Sequence, residues 1–172
     1  MSLTSLSDSK TLAADSAQTR VAPEFPVAFN DLFKIGIGPS SSHTIGPMRA
    51  GFLFRERLLC GVPGGHASVA RLKATAYGSL AWTGKGHATD KALCLGLAGQ
   101  RPDSLDPDVS EALFAQIQTE KTVTLNDGRA IGFDPATDVV FDYEITFEAH
   151  SNAMRFQAFD AEGAELANEI WY

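Results

Sequence analysis

Helical periodicity dominates this chain to about residue 119 and strand-like alternation dominates after it, an order that leaves few folds open. Across residues 42–60, Ile45, Met48, Phe52 and Leu59 fall on one helical stripe, with Arg55 and Arg57 off it. Pro47 is compatible with this helix because it lies in the first turn, where its missing N–H is not needed. Gly61 followed by Pro63 supplies the stop. Residues 67–75 alternate as a strand and lead into a short apolar helical turn over 76–83. Thr89-Asp90 offers an N-cap for a helix reaching about Leu97, and Asp106-Pro107 starts another, which runs through Val109, Leu113, Phe114 and Ile117. Beyond it, residues 122–125 and 130–133 read as strands around the tight turn Asn126-Asp127-Gly128. Val139, Phe141, Tyr143, Ile145 and Phe147 alternate with polar residues, which predicts one half-buried antiparallel strand. Residues 154–159 and 165–172 form a further pair around Ala161-Glu162-Gly163. Helices early and hairpins late predict an α+β domain, its helices packed on one face of a mixed, mostly antiparallel sheet.

Composition narrows the class. The chain has 172 residues, 44% of them hydrophobic and 20% charged, which suits one globular domain whose core needs no staples. A net charge of −7, a pI near 5.0 and the lack of a basic run argue against nucleic acid and anionic membrane surfaces as partners. No apolar stretch is long enough to span a bilayer. Cys60 and Cys94 lie far apart, outside any CxxC or Cys/His ligand spacing, and read as small buried residues of a reducing, cytosolic protein. Residues 1–24, rich in Ser, Thr, Ala and Asp, are expected to be a disordered lead-in to a domain over 25–172. They contain no apolar signal-peptide core, and Asp8 and Asp15 argue against a transit peptide. The closing Asn168-Glu169-Ile170-Trp171-Tyr172 reads as a strand without an exit signal, as in a domain cut from something longer.

Three segments carry chemistry. In the first, a strand-like run over 33–37, part of a strand expected across 27–37, breaks at Gly38-Pro39. Ser40, Ser41, Ser42, His43 and Thr44 follow before the helix begins. Such a junction aims backbone N–H groups and the positive end of a helix dipole at one spot, suited to a carboxylate or phosphate. His43 beside it is a candidate proton carrier, and Arg49 a guanidinium one helical face away. The plainer alternative is a Ser/Thr-rich helix cap with a satisfied histidine. The orders GxxxxGK[ST] and GxSxG are both absent. The second segment, Gly84-Lys85-Gly86-His87, either brings His87 to the same pocket or is a loop with a solvated histidine. In the third, residues 148–156, His150, Asn152 and Arg155 either face a ligand or belong to a hairpin connection. His66 reads as a surface-loop histidine.

These segments together resemble a known family. Residues 34–44 with Gly46-Pro47-Met48 are similar to the N-terminal signature of bacterial iron–sulfur L-serine dehydratases. Gly84-Lys85-Gly86-His87 with Thr89-Asp90-Lys91-Ala92, and Asn152 with Met154-Arg155-Phe156, recur there in the same order; the family usually has proline where Ser151 stands. The resemblance implies the N-terminal β domain or β subunit of a cytoplasmic L-serine ammonia-lyase. That lyase eliminates water from L-serine, and the aminoacrylate becomes pyruvate and ammonia, a step of serine catabolism and gluconeogenesis. It implies a [4Fe–4S] cluster as Lewis acid, carried by an α domain that this chain lacks, no metal in this chain, and a homo-oligomeric, dimeric assembly. At the face meeting that α domain, the junction makes His43 the expected catalytic residue, through proton transfer or substrate contact, and Ser40, Ser41, Ser42, Thr44, Arg49, His87, His150, Asn152 and Arg155 are expected to bind substrate or shape its site. The isolated chain is expected to be inactive. The family's β domain is in turn similar to the intervening regulatory domain of some phosphoglycerate dehydrogenases, so the alternative function is a non-catalytic serine-sensing or subunit-docking module.

Overall fold

The computed structural model describes Gly38, residues 40–61 (without the side chain of Leu59) and residues 68–172. The expected lead-in over 1–24, the strand over 27–37, Pro63 and His66 lie outside the described residues.

Strand β1 (Arg71–Gly78) is central because its last five residues are all buried. Ala74 and Ala76 point to one face and are small enough for a helix layer to pack closely. β1 runs antiparallel to β5 (Asn152–Phe159) along its full length, from Arg71 opposite Phe159 to Gly78 opposite Asn152. β5 in turn pairs antiparallel with β6 (Glu165–Trp171). On its other edge β1 pairs parallel, first with β3 (Ala130–Gly132) and then with β4 (Val139–Asp142). β3 forms the expected hairpin with β2 (Thr122–Thr124), where Gly128 adopts φ 83. The sheet is therefore mixed and mostly antiparallel, as the sequence predicts.

Helices α1 (Ile45–Gly61) and α3 (Thr89–Leu97) lie together over one face. Phe54 stacks on Phe156 at 5.2 Å, within a core that includes Leu58, Leu72, Leu93, Leu97 and Ala158. Burying each large side chain fully contributes about 1.5–3 kcal/mol. The two helices approach closely at Gly96, where an added Cβ would fall 2.2 Å from the Met48 carbonyl oxygen. α4 (Pro107–Glu120) packs on α3, with Leu113 and Phe114 against Met48, Ala92 and Leu95. Its cap is as expected, Asp106 accepting from the N–H groups of Asp108 (2.9 Å) and Val109 (3.4 Å). Between β1 and α3 lie α2 (Ser79–Gly84) and a 3-10 turn, Lys85–His87.

Four local expectations are corrected. The residues 139–147 do not form one antiparallel strand. β4 stops at Asp142, because the Asp142 carboxylate accepts from Glu144 N and Ile145 N (2.9 and 3.0 Å) and turns the chain. β4 is also parallel to β1, which the long connection between them allows. The segment after it folds back over the other sheet face, setting Phe147 edge-on to Tyr77 at 5.2 Å. Secondly, Thr89 does not cap α3. Ala88 precedes that helix at φ 60 with no side-chain cap, and the Thr89 hydroxyl donates to the His43 carbonyl instead (2.7 Å). Thirdly, Arg55, placed off the apolar stripe, is nevertheless buried: only 4% of it is accessible, and its Nη2 donates to the Thr124 carbonyl (3.0 Å). Finally, a short helix α5 (Pro135–Asp138) forms where none was expected, started by Asp134 accepting from Ala136 N.

Candidate functional site

The three chemistry-bearing segments meet at the carboxyl end of β1. Gly78 ends that strand at φ 56, ψ −130, a region that side-chain-bearing residues rarely enter. The turn leads straight into α2, and Ser79 N donates to the Ser151 carbonyl (2.8 Å), tying α2 to the third segment. Ser79, Thr83 and His87 follow at four-residue spacing, so α2 and its 3-10 continuation present them along one side.

The turn of residues 40–44 docks against that side. His43 is only 9% accessible, and both of its ring nitrogens are engaged. Nδ1 lies 3.0 Å from Ser42 Oγ and 3.3 Å from Ser40 Oγ. Nε2 lies 2.7 Å from Thr83 Oγ1 and 3.5 Å from Ser79 Oγ. The His87 ring centroid is 5.0 Å away, and His87 Nδ1 is 2.8 Å from the Thr83 carbonyl oxygen. Ser42 and Thr83 are exposed, while Ser40, Ser79 and His87 are half-buried. His43 is therefore buried beneath a lid of hydroxyls one side chain thick, within reach of the surface.

The other candidates are placed less directly. Ser41 is exposed and its carbonyl accepts from Gly46 N (3.0 Å). Thr44 is fully buried, and its hydroxyl donates to the Ser40 carbonyl (2.7 Å), which closes the turn. His43 N is likewise spent on that carbonyl (3.1 Å), so hydroxyls more than free amides face the cluster. Arg49 points elsewhere, into a cleft of about 220 Å³ with Phe52, Leu53 and Arg101. His150 is exposed, and its Nδ1 accepts from Asn152 N (2.9 Å), while Asn152 stands opposite Gly78 at the start of β5. Arg155 pairs with Thr75 across the sheet, its guanidinium 5.6 Å from the Tyr77 ring and its Nε buried with no hydrogen-bond partner among the described residues. Burial pushes the Tyr77 hydroxyl above its ordinary pKa, and the Arg155 charge opposes that rise. Ser79 and Thr83 went unnoticed in the sequence. The available signal was their spacing back from His87, at four and eight residues.

The family model described as "Serine dehydratase beta chain" matches residues 28–172. The chain belongs to the serine dehydratase beta-chain family. It is similar to the L-serine dehydratase of Streptomyces coelicolor, 41% identical over 146 residues, covering 83% of this chain and 31% of that protein. The L-serine dehydratase of Helicobacter pylori strain 26695 is 41% identical over 141 residues, covering 82% of this chain and 30% of the relative. L-serine dehydratase 1 of Escherichia coli K12 is 37% identical over 136 residues, covering 79% and 30%. The beta chain thus spans less than a third of the length of these relatives.

Among the described residues, no group of three or more His, Cys, Asp or Glu side chains is placed to hold a metal ion. Cys60, expected to be buried, is instead exposed at the end of α1, while Cys94 is buried in α3 as expected. Neither cysteine stands among further ligands, so the donor set of the described beta-chain residues does not fit an iron–sulfur cluster. No described helix is long and apolar enough to cross a membrane.

Proposed function

We propose that this chain is the beta part of a cytoplasmic, homodimeric L-serine dehydratase that converts L-serine to pyruvate and ammonia. On this reading its His43 cluster faces the substrate where an alpha domain or subunit docks. Supporting it is one observation: three segments separated by some forty to sixty residues each converge at the end of β1, around an imidazole clasped by hydroxyls.

The family resemblance assigns a [4Fe–4S] cluster to the alpha partner. This chain's described residues do not fit one, and its contribution is the chemistry of its own side chains. On this reading Ser40 and Ser42, which bond one another in the free chain (3.2 Å), turn their hydroxyl hydrogens to the substrate carboxylate when it binds. His43 exchanges a proton with the substrate, a role worth about 10²–10⁴-fold in rate for a positioned general acid or base. His87, half-buried beside it, supports that exchange.

The test is His43→Ala in the complete enzyme. Turnover is expected to fall by about 10²-fold or more, with assembly and the cluster's absorption spectrum unchanged. Near-normal turnover with an intact cluster refutes the catalytic role. A changed dependence on serine concentration at unchanged kcat assigns the cluster of residues to serine sensing instead. The isolated chain is expected to bind no iron stoichiometrically and to form no pyruvate.

A further inference from the structure

We propose that Thr83 is a positioning residue that sets the tautomers of both imidazoles, leaving His43 Nδ1 and His87 Nε2 as the proton-accepting atoms. The argument is a count of hydrogens. A threonine hydroxyl has one hydrogen to donate. Thr83 Oγ1 lies 2.8 Å from the Ser79 carbonyl oxygen, which only accepts, so the hydrogen goes there. The same Oγ1 therefore turns a lone pair toward His43 Nε2 at 2.7 Å, and Nε2 carries the ring hydrogen. A neutral imidazole has only one N–H, so Nδ1 is bare.

The serines complete the same polarity. Ser42 Oγ, 3.0 Å from Nδ1, donates to it, and Ser40 Oγ, 3.2 Å from Ser42 Oγ, donates to Ser42. One aligned chain runs from Ser40 through Ser42, His43 and Thr83 to the Ser79 carbonyl. Reversing it would set the Thr83 lone pairs against that carbonyl oxygen at 2.8 Å, two acceptors facing one another. Protonation of His43 then requires only that Ser42 or Ser40 rotate to accept from Nδ1–H, while Nε2–H stays on Thr83. The proton enters and leaves on the serine side, where Ser42 is exposed.

His87 takes the opposite sense from the same residue. Its Nδ1 lies 2.8 Å from the Thr83 carbonyl oxygen, which only accepts, so Nδ1 carries the hydrogen and Nε2 is bare. The Thr83 side chain thus orients one ring and its main chain the other. This proposal rests on the proposed function only for what the proton is used for; the tautomers are measurable without turnover.

The experiment is long-range proton–nitrogen correlation NMR on the 172-residue chain with ¹⁵N-labelled histidine, above the ordinary histidine titration range of about 6.5. Replacing each of the 4 histidines by glutamine assigns the signals. His43 is expected to show a protonated Nε2 and a bare Nδ1, and His87 the reverse. Thr83→Val, alike in shape but without the hydroxyl, is expected to abolish the single-tautomer pattern at His43 and keep it at His87. Thr83→Ser restores it, and Ser42→Ala keeps Nε2–H in place. An amide fingerprint verifies that each variant is folded. A protonated Nδ1 at His43 in the unmodified chain overturns the proposal, whatever the variants do. So does an unchanged His43 pattern in a folded Thr83→Val chain. If His43→Ala leaves turnover near normal while these patterns hold, the catalytic reading fails and the tautomer assignment stands.

Discussion

Replacing Gly78 by alanine is the sharpest probe of how the site is built. The backbone at φ 56, ψ −130 costs a side-chain-bearing residue on the order of 1–3 kcal/mol. The new Cβ would also fall 2.3 Å from the Ser151 carbonyl oxygen and 3.3 Å from its carbon. Those are backbone atoms tied down by the hydrogen bond from Ser79 N, so they cannot rotate away as a side chain would. Forced repacking of this kind costs roughly a further 1–3 kcal/mol. The two terms together predict a loss of about 2–6 kcal/mol, against a typical total stability of about 5–15 kcal/mol. At about 2–4 °C per kcal/mol for a domain of this size, Tm should fall by roughly 5–20 °C. Urea and thermal unfolding followed by far-ultraviolet circular dichroism measure it. Gly86→Ala is the control: an added Cβ there meets nothing within 4 Å, and the change should stay within about 1 kcal/mol. If Gly78→Ala unfolds within about 0.5 kcal/mol of the parent chain, which is the scatter of an unremarkable surface change, the account of this turn is wrong.

Other expectations are simpler. Cys60 is exposed and Cys94 is fully buried, its thiol pushed up in pKa chiefly by that burial; a thiol reagent should modify Cys60 in the native chain and reach Cys94 only after unfolding. Asp138 is 2% exposed, and its carboxylate accepts from Arg71 Nε (3.0 Å) and from Asp134 N (2.8 Å). Arg71→Ala should therefore destabilise by about 1.5–3 kcal/mol in urea, because it leaves a buried carboxylate with the Asp134 N–H but without its charged donor. The hydrogen bond from Lys121, foremost, holds the Asp134 carboxyl below its ordinary pKa. A folded value below the unfolded one gives stability that is present at neutral pH and lost as pH falls through the folded value. Lys121→Ala should move acid unfolding to slightly higher pH, read by circular dichroism across an acid titration.

Much of this architecture was legible from local chemistry. Asp106-Pro107 announces the start of α4, and Asn126-Asp127-Gly128 the β2–β3 hairpin, because caps and tight turns are settled by bonds a few residues long. The alternation of Val139 to Phe147 misled for a complementary reason. Period two reports which side chains face opposite ways, and is silent on where a strand stops or on which neighbour it finds. The Asp142 carboxylate ends β4, and β1 receives it parallel. Arg55 misled likewise, since a buried guanidinium is tolerated only where a distant acceptor such as the Thr124 carbonyl meets it.

By itself the amino-acid order determined the fold class, the family and the three segments that carry polar chemistry, since each is written in contiguous residues. Tertiary structure alone decided which of those residues meet. It closed Ser79 and Thr83 around His43, spent the Thr44 and Thr89 hydroxyls on backbone carbonyls, and sent Arg49 to another cleft. The physical reason is that a hydroxyl or imidazole acquires its role from hydrogen-bond partners many residues away, and only the packed sheet and helices bring those partners within about 3 Å.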